Sequence, residues 1–74
     1  MPGSYATLMP RFKHYELTGV LLVEGRQFVL SMPGGGTWRL EVTRSPAKLL
    51  GQRVTVMGTR DGFDLIAVTS IAAA

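Results

Sequence analysis

The chain has 74 residues, which is room for one hydrophobic core, and a domain of this size buries about 60% of the surface that its unfolded chain exposes. A hydrophobic content of 46% and a charged fraction of 18% exclude a disordered protein, and the absence of cysteine excludes a disulfide framework and a thiolate metal site. The net charge of +3 arises mostly before His14, because from His14 onward six basic residues stand against five acidic ones.

Residues 1–13 are predicted to be a flexible N-terminal lead, followed by a single domain over residues 14–74. Residues 1–10 contain two prolines and a glycine, and they lack the basic region and apolar run of a secretory signal peptide. No stretch approaches the roughly 20 apolar residues of a membrane span. We therefore expect a soluble cytoplasmic protein, a monomer with no membrane contact.

The first strand is predicted to be long and bent. The stretch YELTGVLLVEG, residues 15–25, has more apolar positions in a row than a strand with one buried face needs. A bulge or bend at Gly19 would change which face points inward and let the strand contribute to both halves of a barrel. A tight turn at residues 24–26 then leads into a second strand at residues 27–32, so the two strands form a hairpin.

Alternation of apolar and polar residues sets the inward faces of the second and third strands. The predicted inward side chains are Phe28, Leu30, Met32, Trp38, Leu40 and Val42. The outward row consists of Gln27, Val29, Ser31, Arg39 and Glu41. The glycine-rich residues 33–36 stand between two strands, so they are interpreted as a hairpin loop and not as a phosphate-binding loop, which a helix would follow.

A short helix is predicted between strands three and four. Ser45 can cap its N-terminus, Pro46 can occupy the first helical position, and Gly51 can take the left-handed position that ends it. Leu49 and Leu50 are then expected to fill the open end of a barrel.

The fourth and fifth strands are predicted to be joined by a second tight turn and to form a further hairpin. Val54 and Val56 alternate with polar residues, and Gly58 indicates a close backbone approach or a bend. Residues 60–62 contain the Asp-Gly pair of a tight turn, and the last strand is predicted over residues 63–71. Its expected core positions are Leu65 or Ile66, Val68 and Ile71.

This order of elements predicts an all-β fold, a small five-stranded OB-fold-like barrel with one short helix between strands 3 and 4. Four patterns carry a resemblance: a Gly-hydrophobic first strand, a W-x-L third strand, an L-x-G-x-x-V-x-V-x-G segment and a final I-x-V-x-x-I strand. Over about fifty-five residues they resemble small bacterial proteins of uncharacterised function with an OB-like pattern. The resemblance implies a fold and no catalytic residue.

Proteins similar in fold bind single-stranded nucleic acid, sugars or other proteins through the outer face of strands two and three and the loops that join strands one to two and four to five. At those places this chain has Arg26, Arg39 and Arg60, with Arg53 on the wall of the barrel. They could form a phosphate track, and an ordinary solvated surface is an equal alternative.

Single-strand binding also requires exposed aromatic rings. Because Phe28 and Trp38 are predicted to point inward, the remaining candidates are Tyr5, Phe12, Tyr15 and Phe63. Phe63, beside the second turn, is the best placed of them. A core position at the barrel rim is its favoured interpretation, and a stacking platform is the alternative.

No catalytic constellation is recognisable, and we predict no enzyme, no metal site and no cofactor. His14 is the single histidine and has no nucleophile at a suggestive spacing, and Asp61 and Asp64 are interpreted as a turn residue and an outward strand residue.

The first functional hypothesis is therefore weak binding of single-stranded nucleic acid or another polyanion. The alternative is a protein-interaction module that uses an outward Val29 and Met57, the basic lead at residues 11–15, or an open barrel edge. Sugar binding ranks last, because Gln27 and Gln52 are the only carboxamide side chains.

Overall fold

The computed structural model of the protein describes residues 14–74. Its five strands are β1 (His14–Glu24), β2 (Gln27–Ser31), β3 (Thr37–Glu41), β4 (Arg53–Arg60) and β5 (Leu65–Ala73). One 3-10 turn, Ala47–Leu49, lies between β3 and β4. The predicted all-β class with five strands is confirmed, although β5 begins at Leu65, two residues later than predicted, and runs to Ala73.

The five strands form one sheet that closes on itself in the order β1-β2-β3-β5-β4, with β4 pairing back onto β1. All neighbours are antiparallel except β3 and β5, which are parallel. Partners can be followed around the ring from His14 through Thr59 and Ala67 to Glu41. The register of β3 with β2, extended by one residue, leads from Glu41 to Gln27, whose partner Glu24 is ten positions further along β1. A stagger of this size means that the strands are strongly tilted around the core.

β1 contributes to both halves of the sheet, as predicted. Its first part, His14–Val20, pairs with β4, and its second part, Val20–Glu24, pairs with β2. The predicted bulge at Gly19 is wrong, because the register on both sides is continuous. Glycine is needed there for a different reason: a Cβ would collide with the carbonyl oxygen of Ser31 on β2.

The bulge of this sheet lies in β5. Gly58 is opposite Val68 whereas Met57 is opposite Ser70, so Thr69 is the extra residue. The hydroxyl of Thr69 donates a hydrogen bond to the carbonyl oxygen of Met57 over 3.0 Å. The inserted residue resets the alternation, and for that reason the final strand has the spacing I-x-V-x-x-I with all three apolar side chains turned inward.

The core contains at least one side chain from every strand. Its fully buried members are Leu21, Leu30, Leu40, Val54, Val56 and Ile66. The predicted inward faces of β2 and β3 are confirmed, since Phe28 and Trp38 pack against this cluster while remaining partly exposed. Of the two alternatives at the start of β5, Ile66 is the core residue, and Leu65 lies on the outer side.

The connection between β3 and β4 is smaller than predicted. The helix is a single 3-10 turn with Pro46 at its N-terminus and no side-chain cap, so the predicted capping role of Ser45 is wrong. Gly51 has a φ of 80°, the left-handed conformation that was expected. Leu49 packs against the core, but the chain becomes extended at Leu50, whose side chain is 40% exposed and does not plug the sheet.

Candidate functional site

The loop between β4 and β5, residues 61–64, is held in shape by an arginine. The Nε and Nη2 of Arg60 donate hydrogen bonds to the carbonyl oxygens of Gly62 and Phe63, each over 2.8 Å. The N–H of Asp61 donates to the carbonyl oxygen of Leu65, also over 2.8 Å. One guanidinium group and one backbone bond thus fix a loop of four residues.

Phe63 projects from this fixed loop into solvent. It is 87% exposed, more than any other large apolar side chain in the described part of the protein. The interpretation of Phe63 as a core residue at the rim is therefore wrong, because β5 begins only at Leu65 and Phe63 lies in the exposed loop before it. The Cζ of Arg60 lies 6.0 Å from the centre of the ring, at the outer limit of a cation–π contact.

Arg39 reaches the same loop from β3. Its Nε and Nη2 contact Oδ1 of Asp64 at 2.9 and 2.8 Å, and its backbone N–H donates to the carbonyl oxygen of Asp64. The two side chains are 47% and 40% exposed, so the ion pair contributes at most about 1 kcal/mol to stability. It still compensates the charge of Arg39, which leaves less of that charge for a phosphate group than the sequence indicated.

The other two arginines lie apart from this loop. Arg26 is exposed in the turn between β1 and β2, where Gly25 has a φ of 65°. Arg53 begins β4 opposite Val20, seven residues before Arg60, which is about 23 Å along a strand. The structure thus brings Arg39, Arg60 and Phe63 together and leaves Arg53 at the far end of β4.

The outer face of β2 and β3 offers few free groups. Val29 is only 2% exposed although it lies outside the core cluster, between Leu22 and Arg39 of the neighbouring strands. Gln27 uses its side-chain amide to donate to the carbonyl oxygen of Leu40 over 2.8 Å. The predicted exposure of Val29 is therefore wrong, and Met57 is the outward apolar residue of that pair which remains exposed.

The aromatic candidates divide clearly. Tyr15 packs against the core, with its ring 5.7 Å from that of Trp38 and inclined at 53°. Tyr5 and Phe12, like the whole N-terminal lead, lie outside the described residues. Phe63 is consequently the exposed ring that residues 14–74 provide.

The family of the chain follows from its sequence. Residues 18–74 match DUF5818, a family described as a protein of unknown function. The chain belongs to this family. No curated protein and no solved structure matches the chain.

The DUF5818 match includes β2 to β5 in full, β1 from Thr18 onward, and all five candidate site residues. It begins at Thr18 inside β1 and covers the loop with Phe63 as well as the arginines of the candidate site. Within residues 14–74, no group of three or more His, Asp or Glu side chains is arranged to hold a metal ion. In the same part of the chain, no helix has the length and apolar character needed to cross a membrane.

Proposed function

We propose that this DUF5818 protein is a non-enzymatic binding module with an OB-like fold, and that it binds single-stranded nucleic acid weakly through the loop between β4 and β5. The OB-like assignment is supported by the closed order of five strands, by the parallel pairing of β3 with β5, and by the short helical turn between β3 and β4. Its proposed setting is the cytoplasm, as a monomer, an expectation that rests on the sequence.

The observation that carries the proposal is the exposed ring of Phe63 on a loop whose carbonyl groups accept two hydrogen bonds from Arg60. An apolar ring in water is unfavourable, and a nucleic-acid base is a natural partner for it, since every base has a face on which a ring can stack. Such stacking contributes about 1–3 kcal/mol per base. The loop is also one of the two that OB-folds use for ligands.

The electrostatic contribution is expected to be small. Arg60 and Arg26 are the cations on the two loops concerned, and Arg39 is compensated by Asp64. Two neutralised phosphates would give a salt dependence of roughly −1.4 in log K against log salt concentration for a single strand. The proposed binding is therefore weak, only modestly salt-dependent and indifferent to sequence.

The proposal can be tested by fluorescence anisotropy with labelled mixed-sequence DNA and RNA ten-mers at low salt. Phe63→Ala should weaken binding at least about fivefold, the loss of one stacked base. Leu50→Ala is the matched control, because it also removes an exposed apolar side chain but lies in the connection to β4. Equal affinity of the Phe63→Ala variant and the unaltered protein would contradict the stacking role.

The alternative function is a protein-interaction module. The specific observation that favours it is the edge of β5, which is unpaired along part of its length among the described residues. Of the basic lead at residues 11–15, residues 11–13 fall outside those residues, and His14 and Tyr15 belong to β1.

A further inference from the structure

The sheet closes on itself, but β3 and β5 are paired along only part of the length of β5. β3 and β5 pair over only three residues each, Arg39–Glu41 with Leu65–Ala67. β3 then ends, whereas β5 continues to Ala73 with β4 on one side. Among residues 14–74, no backbone hydrogen bond joins the other edge of β5 to a neighbouring segment from Thr69 onward.

A groove of about 310 Å³ lies along this edge. One wall is the segment that follows β3, residues 42–44, and the other is β5 from Val68 to Ile71. Val42, Val68 and Ile71 supply an apolar floor, since all three pack against the core while remaining partly exposed. The groove thus combines an unpaired strand edge with apolar surface, and these are the two elements by which a sheet recognises an added strand.

The groove carries positive charge and no negative charge among the described side chains that line it. Arg44 is the one charged residue that lines it, and no acidic side chain of the described residues does so. An added segment would therefore gain from a carboxylate placed opposite Arg44.

We propose that this groove binds an extended peptide segment of another protein, which adds as a strand to the edge of β5 and places an acidic side chain against Arg44. The backbone groups of β5 would supply affinity, and the apolar floor would take alternate side chains of the segment. This inference does not depend on the nucleic-acid proposal, because it uses neither Phe63 nor Arg60.

A free extended segment fits the groove better than β5 of a second copy of the chain. A strand lying between residues 42–44 and β5 has a wall on each side. In a second copy, β5 already has one edge bonded to β4, so it cannot enter between two walls. A peptide with both edges free meets no such obstacle.

The test uses the full chain and a blocked seven-residue peptide in which valine alternates with threonine and the central threonine is replaced by glutamate. Amide-resolved NMR titration should shift Thr43, Arg44, Thr69 and Ser70. A second peptide with the same side chains, N-methylated at every amide, has no N–H group to donate to a strand edge in either orientation and should bind at least about tenfold more weakly. Equal binding of the two peptides, shifts elsewhere or no shifts at millimolar peptide would overturn the proposal.

Variants of Arg44 provide a second test of the peptide proposal. Arg44→Glu should weaken the glutamate peptide about threefold, and a peptide with lysine at the centre should recover that loss. Lys48→Glu is the matched control, since it makes the same charge change at an exposed position that does not line the groove. If both variants weaken the peptide equally, only the net charge matters and the assignment of Arg44 is wrong.

Hydrogen exchange of the isolated protein identifies any other occupant. The amides on the β5 edge should exchange fast without peptide and slow down when peptide is added. Slow exchange without peptide would contradict a free groove. Dependence on protein concentration would then identify a second copy as the occupant, and independence would identify another segment of the same chain.

Discussion

Replacing Gly58 with alanine should destabilise the protein by about 2–3 kcal/mol, a strain that arises from the close approach of β4 and β5. The added Cβ would collide with the carbonyl oxygen of Ala67 and lie 2.9 Å from Cγ2 of Ile66. Ile66 is fully buried and the carbonyl belongs to β5, so neither neighbour can move without separating the two strands. A domain of this length has only about 4–11 kcal/mol of total stability, so the loss should be large in relative terms.

Urea unfolding followed by the fluorescence of Trp38, the single tryptophan, would measure the change. Gly34→Ala is the matched control, because a Cβ at that loop position meets nothing within 4 Å and φ is not in the left-handed region. It should be neutral or stabilise the protein by up to about 1 kcal/mol through its effect on the unfolded chain. A Gly58→Ala variant as stable as the unaltered protein would refute the packing described for β4 and β5.

Two further variants separate packing from binding. Trp38→Ala should lower the free energy of unfolding by about 3 kcal/mol, the lower end of the range for an aromatic core residue, because the ring is only partly buried. Thermal unfolding followed by circular dichroism would measure the change. An unchanged melting temperature would show that the ring does not support the core. The double variant Arg26→Ala with Arg60→Ala should weaken polyanion binding and flatten its salt dependence, while losing about 1 kcal/mol of stability because Arg60 holds two loop carbonyl groups. Calorimetric titration at two salt concentrations would measure the binding, and an unaltered slope would exclude these arginines as phosphate contacts.

Local signals in the sequence were sufficient for most of the fold. The alternation of Phe28 and Leu30, and of Trp38 and Leu40, predicted the inward faces of β2 and β3, because neighbouring strands share the period of two. The glycine-containing turns predicted the three antiparallel hairpins, β1 with β2, β2 with β3 and β4 with β5. These features depend on residues that are close together in the chain, and local sequence patterns are therefore enough to predict them.

Features that depend on distant residues were missed. The ion pair of Arg39 with Asp64 exists because β3 and β5 lie side by side in parallel. The two strands are not joined by a turn, so no turn sequence predicts this pairing. Val29 has the outward parity that was predicted yet is almost fully buried, because parity gives the direction of a side chain and not what covers it. The bulge at Thr69 had a visible signal, the extra residue between Val68 and Ile71, but its location depended on the register with β4.

The central claim is that the loop of Phe63 binds single-stranded nucleic acid. The most direct measurement is an amide-resolved NMR titration of the full chain with mixed single-stranded DNA and RNA, at low and at raised salt. We predict salt-sensitive shifts at residues 60–64 and at Arg26, with little change at Arg53. No shift even at low salt, or shifts confined to Arg44 and the edge of β5, would contradict the claim.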